Sequence, residues 1–152
     1  MQYLIAAIGK MRPSAERDLL NTYSARIRPP LQIIELEEKR NLSPSELKTR
    51  EGELLLAAIP SGAKIIALDE RGKSITSREL ATRLGEWKDE GVRETIFLIG
   101  GADGLDESVR KKAHMVISFG AMTWPHMMVR AMMAEQLYRA ETILSGHPYH
   151  RD

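Results

Sequence analysis

The feature that most narrows the folds open to this chain is a regular alternation of short apolar runs with longer segments carrying helix signals. Tyr3 to Ile8 is apolar throughout, too short for a stable helix, and is followed by a helical pattern from Pro13 to Ile27 that Pro29-Pro30 stops. Leu31 to Leu36 is a second strand-like run. After it, Ser43-Pro44-Ser45-Glu46 reads as a capping box with proline at the first helical position, opening a helix toward Ala58 that Pro60 and Gly62 close. Lys64 to Leu68 is a third run, and Asp69 to Lys73 reads as a turn. Thr76-Ser77-Arg78-Glu79 is a second capping box, leading a helix through Trp87 that Gly91 ends. Thr95 to Ile99 and His114 to Phe119 complete the strands, separated by a glycine-rich turn and a short helix from Asp106 to Lys112. After the loop Gly120 to Pro125, a last helix spans His126 to Leu144. Gly146 and Pro148 terminate it before a polar tail.

Strands separated by helices pair through crossover connections, so the pattern predicts an α/β fold, a mostly parallel sheet with helices on both faces. No repeat, low-complexity tract or linker divides the chain, and residues 1–152 are expected to form a single domain. At 43% hydrophobic residues a chain of this length buries a real core without cross-links, which excludes disorder as its main state. The absence of cysteine excludes a disulfide framework, a thiolate metal site and a cysteine nucleophile, and fits a reducing compartment. The apolar start lacks a basic leader and reads as a strand, not a signal. The most apolar later stretch, Met127 to Leu137, is interrupted by Arg130, Glu135 and Gln136, whereas a bilayer span needs about 20 apolar residues. The expectation is a cytoplasmic protein with no membrane association. A net charge of +1 and a pI of 8.0 fall short of the basic footprint of a simple electrostatic nucleic-acid binder, and leave the partner open.

Ligands of open α/β sheets bind beyond the carboxyl ends of the strands. That directs attention to Asp69 to Lys73, Gly100 to Gly104 and Gly120 to Pro125. Gly100, Gly101 and Gly104 would let the backbone approach a nucleoside or phosphate closely, though the spacing matches neither the dinucleotide fingerprint nor a P-loop. The competing reading is a tight strand-to-helix turn. In the second loop Thr123 can hydrogen-bond and Trp124 can stack on a flat ring; alternatively Trp124 is a buried packing anchor and His126 sits in an exposed first helical turn. Arg71 and Lys73 are phosphate-binding candidates, or members of a solvated turn.

The last helix is apolar on nearly every face, with Met127, Met128, Val129, Met132, Met133, Leu137, Ala140 and Leu144, and such a helix is expected to be buried. A small domain covers it either with its own chain or with a second copy, and a homodimer is the economical reading. Methionines serve adaptable packing far more often than metal ligation. In the tail, Pro148 keeps His147 and His150 from lying on one helix face and no carboxylate pair accompanies them, so no metal site is expected. The tail reads instead as an arm carrying a stacking ring, an imidazole and a guanidinium, or as one that packs across a subunit interface.

Five motifs taken in order carry a specific resemblance: Leu68-Asp69-x-x-Gly72-Lys73, Leu98-Ile99-Gly100-Gly101-x-x-Gly104-Leu105, Thr123-x-Pro125-His126-x-x-Val129-Arg130, Glu135-Gln136-Leu137-Tyr138-Arg139-Ala140 and His147-Pro148-Tyr149-His150-Arg151. Together they resemble the ribosomal RNA large subunit methyltransferase H family over essentially the whole chain. The resemblance implies the SPOUT fold, with a deep C-terminal trefoil knot that departs from the usual rule against threaded chains. It implies homodimers that methylate N3 of pseudouridine 1915 in 23S rRNA on the assembled ribosome, with S-adenosyl-L-methionine as methyl donor and no metal. Position by position, it implies cofactor contacts at Leu68, Gly101, Gly120, Ala121, Met122, Thr123, Trp124 and Pro125. Trp124 stands where a leucine is expected, and Ala102-Asp103 where the family commonly has Pro-Glu. For the acceptor, His150 would handle the proton or contact the base, Tyr149 would stack, and Arg151 would hold phosphate or an oxyanion. Arg130 and Arg139 would be positioning residues, or ion-pair partners of Glu135 or Glu141 along the helix. The rival from another class is a noncatalytic dimeric module that binds ribosomes or nucleotides. Under the methyltransferase reading, near-neutral charge implies weak binding to isolated RNA.

Overall fold

The computed structural model describes residues 1–152. The expected strands form one sheet: β1 (Gln2–Ile8), β2 (Gln32–Leu36), β3 (Lys64–Ser74), β4 (Glu94–Ile99) and β5 (Met115–Ser118), in the order β2-β1-β4-β3-β5. Every neighbouring pair is parallel. Five helices connect and flank them: α1 (Ala15–Arg26), α2 (Pro44–Ala57), α3 (Ser77–Asp89), α4 (Glu107–Lys112) and α5 (His126–Ser145). The two-residue alternation of the strands sorts the helices onto two faces. Tyr3, Ile5, Ala7, Ile66 and Phe97 enter the larger core with Leu20 of α1, Leu84 and Trp87 of α3 and Met133 and Leu137 of α5. Leu4, Ala6, Ile65, Ala67 and Leu98 enter the smaller one with Leu55 of α2 and Val109 of α4. No helix is long and apolar enough to cross a membrane.

The capping signals were uneven in outcome. Thr76 and Glu79 form the complete reciprocal box, with the Thr76 amide donating to Glu79 at 2.6 Å and the Glu79 amide donating to Thr76 Oγ1 at 3.1 Å. At Ser43 the box is half-formed: Ser43 Oγ accepts the Glu46 amide, but the Glu46 carboxylate takes the Ser43 hydroxyl at 2.7 Å and leaves the Ser43 amide unbonded. Gly146 ends α5 in the left-handed region at φ 75°, as a C-terminal glycine should.

The expected turn at Asp69 to Lys73 is absent. β3 continues to Ser74, because Leu68 and Lys73 both pair with Ile117 and the residues between them are pushed out of the ladder as an irregular bulge. A Cβ at Gly72 would lie 2.6 Å from the Ile117 backbone, so the rejoining chain passes β5 only without a side chain. At the other strand edge His114 precedes β5 instead of opening it. Its amide donates to the Ile65 carbonyl and its Nδ1 accepts the Ile65 amide, which fixes it as a neutral structural imidazole.

α5 is sequestered on one side only. Ala131, Met133, Ala134, Leu137 and Ala140 are buried, whereas Met127, Met128, Val129 and Met132 are half-buried and Leu144 is exposed. Arg130 is fully buried and does not pair along the helix. It reaches the end of β1, donating to the carbonyls of Ile8 and Gly9 at 2.7 and 2.9 Å and to Glu35 of β2 at 2.8 Å. The expected partners lie on other faces. Glu135 holds Arg139 at 2.6 Å, and Glu141 accepts from Tyr3 and Lys88. Arg130 is thus a cap on the strand ends that carry the neighbouring loops.

Candidate functional site

Three strand ends converge on a cavity of about 280 Å³. Leu68 of β3, Ile99 of β4 and Ile117 of β5 contribute apolar walls, Gly100–Gly104 one rim and Phe119, Gly120, Met122, Thr123 and Trp124 the opposite rim. Lys48 of α2 and His126 and Val129 of α5 complete the lining, with Asp69, Glu70 and Arg71 of the bulge. The glycine turn folds tightly on itself. The Gly104 amide donates to the Gly101 carbonyl at 3.1 Å, a Cβ at Gly100 would meet the Gly104 carbonyl oxygen at 2.7 Å, and Gly104 has φ +79°. The two readings of these glycines are therefore compatible, since the tight turn is itself a wall of the cavity.

The loop Gly120–Pro125 is held at one end by Ser118, whose Oγ accepts the Gly120 amide at 3.0 Å, and across its span by Trp124 Nε1 donating to the Phe119 carbonyl at 3.3 Å. The amides of Ala121, Met122, Thr123 and Trp124 donate no hydrogen bond within the protein. A run of free backbone donors beside apolar strand ends fits a ligand with a flat, hydrogen-bonding ring and an apolar body. Of the expected cofactor residues, Leu68, Gly101, Gly120, Met122, Thr123 and Trp124 line the cavity. Ala121 and Pro125 are exposed on the loop and do not. Trp124 is 41% exposed, so it is not the buried anchor of the competing reading. Arg71 lines the cavity while Lys73 has rejoined the sheet.

Two lining residues, Lys48 and Ser118, carried no clear signal in sequence. His126, which the competing reading of the loop put in an exposed turn, is half-buried in the wall, where burial and then the Arg130 charge lower its pKa. Its position directly after the loop was the available cue. Beneath the glycine rim lies Glu51 of α2: a Cβ at Gly101 would sit 3.1 Å from its carboxylate. Burial, then the Asp103 charge, raises the Glu51 pKa.

The tail is placed elsewhere in the same chain. Tyr149 donates its hydroxyl to Glu135 at 2.9 Å, meets Tyr138 edge to face at 4.7 Å, and lies 4.9 Å from the Arg139 guanidinium. His150 Nδ1 is 3.2 Å from Arg139, its Nε2 is 3.2 Å from Asp152, and Arg78 grips Asp152 with two bonds of 2.6 Å. Burial, then hydrogen bonding with Tyr23 and Glu135, raises the Tyr149 pKa. Arg151 is exposed. Glu135 lies about 13 Å along α5 from His126, and none of Tyr149, His150 and Arg151 touches this cavity. One chain therefore gathers the expected cofactor residues and the expected acceptor residues into two separate groups. No group of three or more His, Asp or Glu side chains is arranged to hold a metal ion.

The model of the family described as "Predicted SPOUT methyltransferase" matches residues 1–150. Ribosomal RNA large subunit methyltransferase H of Paramagnetospirillum magneticum is 55% identical over 151 residues, covering 99% of both chains, and that of Rhodospirillum centenum is 51% identical over the same span, again covering 99% of both. The chain belongs to the ribosomal RNA large subunit methyltransferase H family. Among solved structures, a probable methyltransferase from Bordetella pertussis shares the fold with a TM-score of 0.58 at 13% identity, over 91% of this chain and 95% of that one. A probable methylase family protein from Haemophilus influenzae does so with a TM-score of 0.54 at 15% identity, over 97% of this chain and 67% of that one. The parallel sheet and its flanking helices are the SPOUT methyltransferase fold, and membership of that class implies the deep knot in the C-terminal part of the chain.

Proposed function

We propose that residues 1–152 act as one catalytic domain that moves a methyl group from S-adenosyl-L-methionine to N3 of pseudouridine 1915 in 23S rRNA, on the assembled ribosome in the cytoplasm. The observation that carries this reading is the loop of free backbone donors facing a glycine rim at the strand ends, in a chain more than half identical to named methyltransferases of this kind. The bound donor supplies a methyl group already activated by a sulfonium, so no Lewis acid is needed. The amides of Ala121 to Trp124 and the Gly101 turn would hold its polar portions, and Leu68, Ile99, Ile117 and Val129 would exclude water.

The protein's remaining task is at the acceptor. As N3 forms its bond to the methyl carbon, the carbon–sulfur bond breaks with its electron pair going to sulfur, and the N3 proton must leave. His150 is the group assigned to that proton, Tyr149 to stacking on the base and Arg151 to a phosphate or oxyanion. These residues lie away from the cavity of their own chain, so the reading requires a homodimer in which the tail of one copy serves the pocket of the other. The half-buried methionines of α5, exposed Leu144 and exposed Leu19 on α1 supply the apolar surface such a dimer would cover.

The test is methyl incorporation from labelled donor into free 23S rRNA, isolated large subunits and complete ribosomes. Label at N3 of the target pseudouridine, with complete ribosomes the best substrate, is the expected result. No incorporation into any substrate, together with no heat on titration with S-adenosylhomocysteine, would instead favour a noncatalytic binding module.

A further inference from the structure

A second cavity, of about 300 Å³, adjoins the first across the end of β5: Ile117, Ser118, Phe119 and Gly120 line both. Its far wall carries Ser77, the first residue of α3, and Gln136 of α5. Ser77 Oγ donates to Gln136 Oε1 at 2.7 Å, and Gln136 Nε2 donates to Glu135 Oε2 at 2.9 Å. The carboxylate only accepts, so the Gln136 nitrogen faces Glu135 and its oxygen faces Ser77. With the Ser77 proton already spent, this wall has acceptor capacity left, the second lone pair of Gln136 Oε1 and the lone pairs of Ser77 Oγ. The other oxygen of Glu135 holds the Tyr149 hydroxyl, so the cavity lies between the first pocket and the docked tail and is linked to the tail through Gln136.

Taking the methyl-transfer reading above as given, we infer that this second cavity receives the acceptor base and that Ser77 and Gln136 select a pseudouridine over a uridine. The chemistry separates the two bases at one edge. Pseudouridine, joined to its sugar through carbon, has a free N1–H beside its C2 carbonyl; uridine presents a C–H at the matching position. An acceptor pair satisfied by an N–H and left unpaired against a C–H favours the first base, because a site built to hydrogen-bond rejects the analogue that lacks the donor. Ser77 and Gln136 are specificity determinants here, distinct from the groups assigned to the N3 proton.

The test compares ribosomes carrying pseudouridine at the target position with ribosomes from cells unable to form it, which carry uridine. For the native protein kcat/KM is expected to favour pseudouridine by roughly tenfold or more. Ser77→Ala and Gln136→Leu should each reduce that ratio toward one, chiefly by loss on the pseudouridine substrate, with S-adenosylhomocysteine affinity unchanged. Gln136→Leu also removes a neighbour of Glu135, so if that variant loses activity on both substrates the ratio in Ser77→Ala, whose hydroxyl bonds Gln136 and no tail residue, decides. A native protein that methylates both substrates equally, or variants that keep the full native ratio, would overturn the inference. A native protein that methylates neither would overturn the methyl-transfer reading instead.

Discussion

The loop Gly120–Pro125 and the tail His147–Asp152 flank the same helix, α5, and are built in opposite ways. The loop offers backbone: its amides from Ala121 to Trp124 are free, its fixed points are Ser118 and Trp124, and its position follows from the end of β5. The tail offers side chains, of which Tyr149, His150 and Asp152 are tied to side chains on α3 or α5. A backbone wall is complete as soon as the sheet forms. Side chains ordered by neighbours depend on where those neighbours are, and in one chain they face away from the cavity.

The sharpest way to break this comparison is to remove the tail. A chain ending at Gly146 should bind S-adenosylhomocysteine within about twofold of the native affinity yet methylate ribosomes about a thousandfold more slowly, the scale of a lost proton-transfer group. Normal methylation would show that the tail does not serve the reaction. The two arginines of α5 divide along the same line. Arg130→Met strands Glu35 and two strand-end carbonyls and should cost about 3 kcal/mol in urea unfolding. Arg139→Met removes a more solvated pair and should cost under about 1 kcal/mol while freeing His150 and Tyr149, which hydrogen exchange of residues 147–152 would report.

Gly120 has φ +110°, so Gly120→Ala should cost about 1 kcal/mol of stability and weaken S-adenosylhomocysteine binding by calorimetry, leaving exchange in the tail unchanged. The pH response distinguishes the regions more gently. Burial, then the Arg130 charge, lowers the His126 pKa below its ordinary 6.5, so the unfolded chain takes up the proton first as pH falls. The stability tied to neutral His126 is intact above pH 6.5 and is lost as pH drops through the folded value, and His126→Gln should flatten that part of the unfolding profile. The Asp152 pKa is likewise lowered from 3.8, chiefly by Arg78, so tail docking should hold across neutral pH and loosen only in acid below that value. Arg78→Ala should raise exchange in the tail at pH 7 with no measurable change in melting.

Much of the fold was legible because it is local. Strand runs, the Thr76 box and the stops at Gly91 and Gly146 depend on residues within a few positions of one another. The glycine rim and the loop after β5 were legible as candidate ligand-facing segments because ligands gather at the carboxyl ends of parallel strands, and both line the cavity. The misreadings involve partners far away in the chain. The expected turn became a bulge over Asp69–Gly72 because β5, more than forty positions later, accepts β3 on both sides of it. Arg130 left its helical neighbours for Glu35, 95 positions distant. His126 entered the wall because α5 starts beside the cavity.

By itself the sequence determined the class of fold, the two loops at the strand ends and, through its ordered motifs, the family. Those follow from side-chain periodicity, glycine and proline chemistry and residue identity, which need no partner to be read. Only the tertiary structure decided which carboxylate meets which arginine, that the tail rests on α5 apart from its own pocket, and that a second cavity lies between them. Those are matters of distance between segments far apart in the chain, set by how the helices pack onto the sheet.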